Sequence, residues 1–388
     1  METLCHKLSF LFRETAINLT SPTRKHIKQL KNTIKEKEHK MYEYTKYSPD
    51  TYLLPVWQGT EVYNETVMFV DEQKVPLLYK VDQIISVRSS DLKTEYVQGE
   101  DYLLENGYLV RTPTSRIPMF TQSEYYPESP EQAACFPCAD PAHPWIRYGE
   151  ETTFFSRQVH VSYTHSDSWD GYIPPQSNKF SQVLQKLSQN EPINVVFFGD
   201  SITVGACSSK MIEAEPYADI WCEMVVYALK KHFHHDKIQY INTAVGGTGS
   251  DWGEQTIQQN AIAHNPDLLF LGFGGNDGWL PAETYQTRMQ HMVDAVLTSC
   301  PQTEIAVVST MLPHFRVAGF SCAQHEQERA LRELCRQYSQ VDLVPMTTMH
   351  QTLLHHKRYY DMTGNNVNHP NDFLARIYAQ TAVKTLLG

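Results

Sequence analysis

The sequence lacks the apolar segments that place a protein in or across a membrane. Its 388 residues contain no apolar run of the length needed to span a bilayer. The first twenty residues also lack a signal-peptide core, because Arg13, Glu14 and Asn18 interrupt the apolar stretch. These absences predict a cytoplasmic protein without a membrane partner.

The chain has fewer basic residues than acidic ones. Lys and Arg together number 33 against 44 Asp and Glu, which gives a formal net charge of -11 at pH 7. A nucleic-acid partner requires a basic surface, so we expect none. The charge balance leaves small neutral or cationic molecules as candidate ligands.

Cysteine pairs at metal-binding spacing are also missing. The eight cysteines are scattered along the chain, which is typical of reduced, mostly buried thiols and not of a disulfide framework. Cys135 and Cys138 form one CxxC motif, but no second pair stands at zinc-binding spacing. We therefore expect two incidental thiols in a loop, and neither a metal site nor a cofactor.

The hydrophobic patterning divides the chain into parts at residues 1–50, 51–175 and 185–388. Apolar residues at helical spacing predict an amphipathic, basic helix at 22–46, with a solvated outer face. The second part contains short alternating runs without intervening helices, which favours a β-sandwich of jelly-roll-like type. Its clearest predicted strands are 62–70, 83–88, 108–111 and 158–164, and Glu105-Asn106-Gly107 predicts a hairpin turn.

One segment of the second part differs from its surroundings. Residues 125–145 are rich in proline, acidic residues and aromatic residues. We interpret this segment as a long excursion from the sandwich toward a partner or a cleft. A role of the sandwich in homo-oligomerisation, with the excursion completing a neighbour's site, stays open beside a role in sugar binding.

The third part alternates strands with helices. Predicted strands lie at 194–198, 238–242, 268–273 and 305–310, and predicted helices lie at 217–232, 254–264, 281–300, 324–338 and 373–387. Such alternation calls for a parallel sheet that is covered by helices on both faces. The predicted fold class is therefore α/β with three layers, preceded by the β-sandwich.

The first chemical motif ends a predicted buried strand. Four apolar residues, Val195 to Phe198, are followed by Gly199 and Asp200, which turn the backbone and leave the hydroxyl of Ser201 at the carboxyl end of the strand. Ligands bind at this edge in open α/β sheets. The G-x-S-x-G elbow of α/β-hydrolases is absent because Thr203 replaces its second glycine, which disfavours that fold.

Three further segments contain groups that a serine nucleophile needs. Residues 242–250 and 272–277 are glycine-rich strand ends whose amide groups, together with the Asn276 side chain, could surround a developing negative charge. Ordinary turns between strands and helices would explain the same glycines. His369 lies in the loop before the last predicted helix, on the same edge of the sheet.

Together the four segments resemble the SGNH hydrolases, also called GDSL esterases and lipases. The matching positions are Ser201, Gly247, Asn276 and His369, and the resemblance covers residues 190–388. It implies a flavodoxin-like domain and a serine esterase without a cofactor. It also implies that His369 removes the proton of Ser201, while amide groups of Ser201, Gly247 and Asn276 hold the oxyanion.

The chain departs from the family pattern at one position. The family usually has aspartate three residues before the histidine, where this chain has Asn366. An asparagine carbonyl can fix the imidazole tautomer but supplies no negative charge, so the base should be weaker. Asp361 is a second orienting candidate if the Thr363-Gly364 turn folds it back, and a surface carboxylate is the alternative. Some carbohydrate acetyl esterases of the family look like enzymes with a Ser-His dyad, in which a neutral or backbone carbonyl orients the histidine. The resemblance therefore implies that activity does not require the aspartate.

The resemblance also points to a substrate class. A β-sandwich ahead of this domain is similar to bacterial carbohydrate esterases that remove acetyl groups, so a small acetylated sugar is the expected partner. Trp252 and Trp279 could present aromatic faces to a sugar ring, or could pack beneath the loops. A lipid or thioester acylhydrolase and a non-catalytic carbohydrate-binding protein are the alternatives.

Overall fold

The computed structural model describes residues 44–320 and 323–388, of which Lys46–Gly388 form one compact unit. The helix predicted at 22–46 lies outside the described residues up to residue 43. The strands are β1 Glu61–Val70, β2 Lys74–Val75, β3 Gln83–Ser89, β4 Tyr102–Glu105, β5 Tyr108–Arg111, β6 Met119–Phe120, β7 Cys135–Pro137, β8 Trp145–Arg147, β9 Gln158–Thr164, β10 Ile193–Gly199, β11 Ile238–Asn242, β12 Leu268–Gly272, β13 Glu304–Val308 and β14 Val341–Val344. The helices are α1 Pro49–Tyr52, α2 Gln122–Tyr125, α3 Thr152–Phe155, α4 Ser181–Ser188, α5 Ser201–Val204, α6 Trp221–Phe233, α7 Ser250–Asn260, α8 Ala282–Ser299, α9 Gln324–Cys335, α10 Met346–Leu353 and α11 Asp372–Leu387.

The carboxyl-terminal half contains a five-stranded parallel sheet in the order β11-β10-β12-β13-β14. In chain order this is 2-1-3-4-5, the flavodoxin-like arrangement. The strand order reverses next to β10, so the carboxyl end of β10 lies at the switch point where such folds bind ligands. The predicted α/β fold is therefore confirmed.

Alternate side chains of β10 enter two different hydrophobic cores. Val195 and Phe197 belong to a core that includes side chains of α6 and α11, whereas Val196 and Phe198 belong to a core that includes side chains of α7, α8 and α9. All four are fully buried, as a strand covered on both faces requires. Helices on both faces give the three predicted layers.

Four helices or strands of this half are absent from the sequence prediction. They are α4, α5, β14 and α10. Strand β14 has only four residues, of which Asp342 is polar, so its apolar run is too short to stand out. Helix α10 contains three threonines, and β-branched residues weaken a helical pattern.

The amino-terminal part is rich in strands, as predicted. A four-stranded sheet has the order β3-β9-β1-β6, and a three-stranded sheet has the order β2-β5-β4. The predicted hairpin turn joins β4 to β5, with Asn106 at φ 52° and Gly107 at φ 83°. Two positive φ values are the mark of a type I′ turn, for which Asn-Gly is the preferred sequence.

The strand-rich region and the parallel sheet share one hydrophobic core. Val67 and Phe69 of β1 lie in the same cluster as Val195 and Phe197 of β10. Residues 125–145 pack onto the carboxyl-terminal half, since the Ala139 amide donates to the Arg316 carbonyl at 2.7 Å.

The division of the chain into domains at 51–175 and 185–388 stays a prediction. In the described residues no helix combines the length and apolar character that crossing a membrane requires.

A buried ion pair also joins the two regions. The Lys357 ammonium donates to the Glu65 carboxylate, and both side chains are fully buried. The same carboxylate accepts from the Leu78 amide at 2.9 Å and from the Tyr163 hydroxyl at 2.6 Å. Both oxygens of the Glu65 carboxylate therefore accept hydrogen bonds in a water-poor environment.

We expect Glu65→Gln to lower the free energy of unfolding by about 3 kcal/mol, because it leaves the buried Lys357 charge without a counter-ion. Urea denaturation would measure this loss. The double variant Glu65→Gln with Lys357→Met should be more stable than Glu65→Gln alone, since both charges are gone, the amide oxygen still accepts from the Leu78 amide, and the amide N–H can donate to the Tyr163 hydroxyl. A single variant as stable as the unsubstituted protein would contradict the expectation.

Candidate active site

The turn from β10 into α5 places Ser201 at the edge of the sheet. Gly199 lies so close to β12 that a Cβ there would be 2.1 Å from the Gly272 carbonyl oxygen, so only glycine fits. Asp200 is the N-cap of α5, and its Oδ1 accepts from the Ile202 amide at 3.0 Å. Ser201 is the first residue of the helix, where amide groups have no acceptor within the helix.

Ser201 and His369 meet at this edge although they are far apart in the chain. The Nε2 atom of His369 is 2.9 Å from Oγ of Ser201, and both side chains are nearly buried. This is the distance of a direct hydrogen bond. A base in this position can take the proton of the serine hydroxyl.

Asn365 fixes the loop that carries His369. Its Oδ1 accepts three backbone amides, from Val367 at 2.9 Å and from Asn368 and His369 at 3.0 Å each. The Thr363 hydroxyl donates to the His369 carbonyl at 2.9 Å. The imidazole therefore projects from a tightly bonded turn. The asparagine run at 365–366 and 368 is the sequence signal for this turn, because asparagine often bonds to nearby backbone.

Gly247 and Asn276 lie beside the serine. Both line a cleft of about 400 Å³ that also contains Ser201 and His369. Gly247 has a φ of 77°, which favours glycine, and nothing lies within 4 Å of the position of its missing Cβ. The Asn276 Nδ2 donates to the Thr248 carbonyl at 2.9 Å, so the amide is fixed and keeps a second N–H for a ligand.

Two buried carboxylates hold the three strand ends together. Oδ2 of Asp200 accepts from the Gly275 amide at 3.0 Å, next to Asn276. Asp277 accepts from the Ser250 amide at 3.0 Å and from the Ser250 hydroxyl at 2.8 Å, which anchors the start of α7 after Gly247. Burial raises the pKa of Asp200 to about 7 and raises the pKa of Asp277 above its ordinary range. The sequence analysis missed both bridging roles, since they link separate segments.

The structure corrects both predicted orienting residues. Oδ1 of Asn366 accepts from the Tyr125 hydroxyl at 2.7 Å, and its Nδ2 donates to the Arg147 carbonyl at 2.9 Å. Oδ1 of Asp361 accepts from the Met68 amide at 2.8 Å, and Arg358 pairs with the same carboxylate at 2.9 Å. Both side chains thus serve contacts with the strand-rich region and do not bond to His369 in the described structure.

Two other side chains approach Nδ1 of His369. Oε1 of Glu150 and Sγ of Cys207 each lie 3.5 Å from this atom. Burial lowers the pKa of His369 below its ordinary value, and the negative charge of Glu150 opposes that shift. The sequence analysis missed both residues because nothing in their local sequence links them to the histidine.

The two tryptophans have different environments. Trp252 is half-buried, with its ring 5.6 Å from that of Phe198 and 6.4 Å from that of Phe273, so it packs beneath the loop. A sugar-binding role for Trp252 is therefore corrected to a packing role. Trp279 is 71% exposed, and its Nε1 donates to the Asn276 carbonyl at 3.1 Å. Its exposed ring thus lies next to Asn276, but Trp279 does not line the cleft.

A serine and a histidine in hydrogen-bonding contact at the carboxyl edge of a flavodoxin-like sheet define a serine hydrolase type of site. Residues 197–377 match the model of the GDSL-like Lipase/Acylhydrolase family. The resemblance predicted from the four motifs is therefore confirmed by a family match over this part of the chain. No curated protein sequence matches the chain.

Several solved structures resemble part of the chain. A two-domain esterase (CEX) active on acetylated mannans is 23% identical, with a TM-score of 0.44 over 55% of this chain and 55% of that chain. Axe2, an acetylxylan esterase from Geobacillus stearothermophilus, is 16% identical, with a TM-score of 0.42 over 50% of this chain and 94% of that chain. The acetyl xylan esterase AlAXEase is 18% identical, with a TM-score of 0.40 over 49% of this chain and 98% of that chain. The chain thus matches about half the length of the two-domain esterase.

We expect Asn276→Ala to reduce kcat for ester hydrolysis by about a hundredfold, because it removes a fixed oxyanion donor. KM should change much less, since the contact is made mainly in the transition state. Steady-state kinetics with 4-nitrophenyl acetate would separate the two constants. Gln340→Ala, at the opposite end of the sheet near β13, is the control for loss of an amide. An unchanged kcat for Asn276→Ala would remove Asn276 from the oxyanion site.

Proposed function

We propose that the protein is a serine esterase that hydrolyses small acyl esters, with acetyl groups on carbohydrates as the preferred substrate. The 2.9 Å contact between Ser201 Oγ and His369 Nε2 is the observation that carries the proposal. The family match over residues 197–377 supports it, because that family is described as lipases and acylhydrolases.

The reaction follows from the positions of the groups. His369 Nε2 takes the hydroxyl proton while Ser201 Oγ attacks the ester carbonyl carbon. The amide groups of Ser201 and Gly247 and the Asn276 side chain stabilise the tetrahedral oxyanion. The imidazolium then gives its proton to the leaving alcohol, and an acyl-enzyme remains. Water attacks that ester with the same base and releases the acid.

The cleft supports a polar alcohol and a short acyl group. Its polar lining includes the amide side chains of Asn276 and Asn368, which can bond to sugar hydroxyls. Phe136 and Phe320 supply aromatic faces, and Phe136 comes from the predicted excursion at 125–145. Its volume of about 400 Å³ lies at the lower end for ligand sites, so a sugar ring leaves little space for a long acyl chain.

A panel of esters tests this proposal. We would compare 4-nitrophenyl acetate, butyrate and octanoate, and measure acetate release from acetylated mannose and xylose oligosaccharides. We expect kcat/KM to be highest for acetyl esters and acetate to be released from the sugars. A preference for octanoate would indicate the lipid or thioester acylhydrolase instead.

The alternative without catalysis has its own test. A fluorophosphonate probe should label Ser201, as mass spectrometry of the labelled peptide would show. Absence of labelling together with binding of acetylated sugars would favour a carbohydrate-binding protein. A cytoplasmic location and a homo-oligomeric state stay predictions.

A further inference from the structure

We infer that Glu150, carried by the strand-rich region, is the positioning acid of His369 and replaces the aspartate that the family usually has three residues before the histidine. The inference rests on the proposed esterase function and concerns the same site. It makes the strand-rich region a part of the catalytic centre, because the residue that holds the base comes from outside the matched family domain at 197–377.

The geometry around Nδ1 supports a carboxylate partner. Glu150 Oε1 lies 3.5 Å from His369 Nδ1, and the other ring nitrogen contacts Ser201 at 2.9 Å. A carboxylate on the far side of the imidazole selects the tautomer with a proton on Nδ1, which leaves Nε2 free to accept from the serine. The contact is loose, and such contacts often shorten when substrate binds.

Asn366 explains how Glu150 arrives at this place. Its Nδ2 donates to the carbonyl of Arg147 at 2.9 Å, three residues before Glu150. The Tyr148 amide also donates to the Ala134 carbonyl at 2.9 Å, which holds the same segment from its other side. The residue at the family's usual acid position therefore docks the segment that brings an acid from elsewhere.

Cys207 and Tyr148 are the other titratable groups near this pair. Cys207 Sγ lies 3.5 Å from Nδ1, but burial raises the pKa of its thiol well above the ordinary range, so it stays neutral. Burial, and after it the neighbouring Glu150 carboxylate, raise the pKa of the Tyr148 hydroxyl, so it is neutral too. Glu150 thus supplies the negative charge next to the ring.

The negative charge of Glu150 takes effect when the proton passes from Ser201 to His369. As Ser201 loses its proton, His369 becomes an imidazolium with protons on both nitrogens, and the Nδ1 proton stays on the ring. The Glu150 carboxylate stabilises this cation without taking the proton. Because its side chain is 49% exposed, water screens the interaction, and we expect a smaller contribution than from a buried aspartate.

The test compares Glu150→Gln with Glu151→Gln. Both variants remove one carboxylate from neighbouring exposed positions, but only residue 150 faces the imidazole. For Glu150→Gln we expect kcat/KM for 4-nitrophenyl acetate at pH 8 to fall about tenfold, less than the roughly hundredfold effect of a group that transfers the proton itself. Glu151→Gln should behave as the unsubstituted protein.

The pH profile distinguishes positioning from a structural effect. His369 must be neutral to act, so activity rises with pH through its pKa, and Glu150 holds that pKa up. Removing the charge should therefore shift the acidic limb of kcat/KM to lower pH while the plateau falls. A variant that merely disturbed the cleft would lower the plateau and leave the limb in place.

Two further variants complete the experiment. Cys207→Ala should leave the acidic limb unchanged, because the thiol is neutral, whereas a loss confined to Cys207→Ala would overturn the inference in favour of the sulfur. Equal plateaus and limbs for Glu150→Gln and Glu151→Gln would also overturn it, while the unsubstituted protein still hydrolysed the ester. An unsubstituted protein that neither hydrolyses esters nor reacts at Ser201 would overturn the proposed function itself.

Discussion

Replacing Ser201 with alanine should reduce kcat/KM for 4-nitrophenyl acetate by about 10⁴-fold or more, as loss of a serine nucleophile does in other hydrolases. Ser201 Oγ is the hydroxyl in contact with His369 Nε2, at 2.9 Å, so its removal eliminates the acyl-enzyme route. The residual rate would come from direct attack of water on the ester, with the oxyanion donors still stabilising the charge on the carbonyl oxygen. Stopped-assay and progress-curve kinetics would measure it.

The substitution should not disturb the fold. The substitution removes Oγ and leaves the Cβ methyl group. It lies at the start of a four-residue helix whose N-cap, Asp200, is retained. Circular dichroism and the urea midpoint should therefore match those of the unsubstituted protein. Ser188→Ala, at an exposed helix end, is the control for activity and for probe labelling. Unchanged hydrolysis by a folded Ser201→Ala protein would remove Ser201 as the nucleophile.

The positions of Ser201, Gly247 and Asn276 can be predicted because each follows directly on a buried strand of a parallel sheet. The apolar run identifies the strand, the glycines mark its end, and the topology brings the ends of neighbouring strands to one edge. His369 is predictable for a related reason, since it precedes the amino-terminal cap of α11. Local sequence patterns are thus sufficient to predict those site residues that the fold brings together at the ends of its strands and helices.

The partner of His369 could not be predicted in this way. Asn366 and Asp361 are near the histidine in sequence, but their side chains bond to Arg147 and Met68 in the strand-rich region. Glu150 reaches the imidazole only because that region packs against the sheet. Long-range packing of two regions leaves no periodicity in either segment, so the sequence contains no local signal for it.

The same reason explains why the roles of the two buried carboxylates could not be predicted. Asp200 and Asp277 look like ordinary turn residues in the sequence, yet each accepts amides from a different segment. The hydrogen bonds that a buried carboxylate needs are visible only when the surrounding backbone is known. The predicted site therefore contains the residues that face the cleft and lacks those that hold them in place.

The second large effect is expected from His369→Ala, which should reduce kcat/KM by about 10³- to 10⁴-fold, because the serine hydroxyl then has no base. Activity should also lose the acidic limb of its pH profile, since the titrating base has gone. The substitution leaves a space at the edge of the cleft next to Ser201. Imidazole added to the assay should occupy that space and restore part of the rate.

The rescue distinguishes a lost base from a damaged site. Restored activity should increase with pH as the free imidazole becomes neutral, near pH 7, and should saturate with imidazole concentration. His355→Ala, at an exposed position, should keep full activity and respond to imidazole no more than the unsubstituted protein. Imidazole should fail to rescue the double variant with Ser201→Ala, because a base without the hydroxyl has no nucleophile to activate. Equal rescue of the double variant would show that imidazole hydrolyses the ester by itself and would contradict a base role for His369.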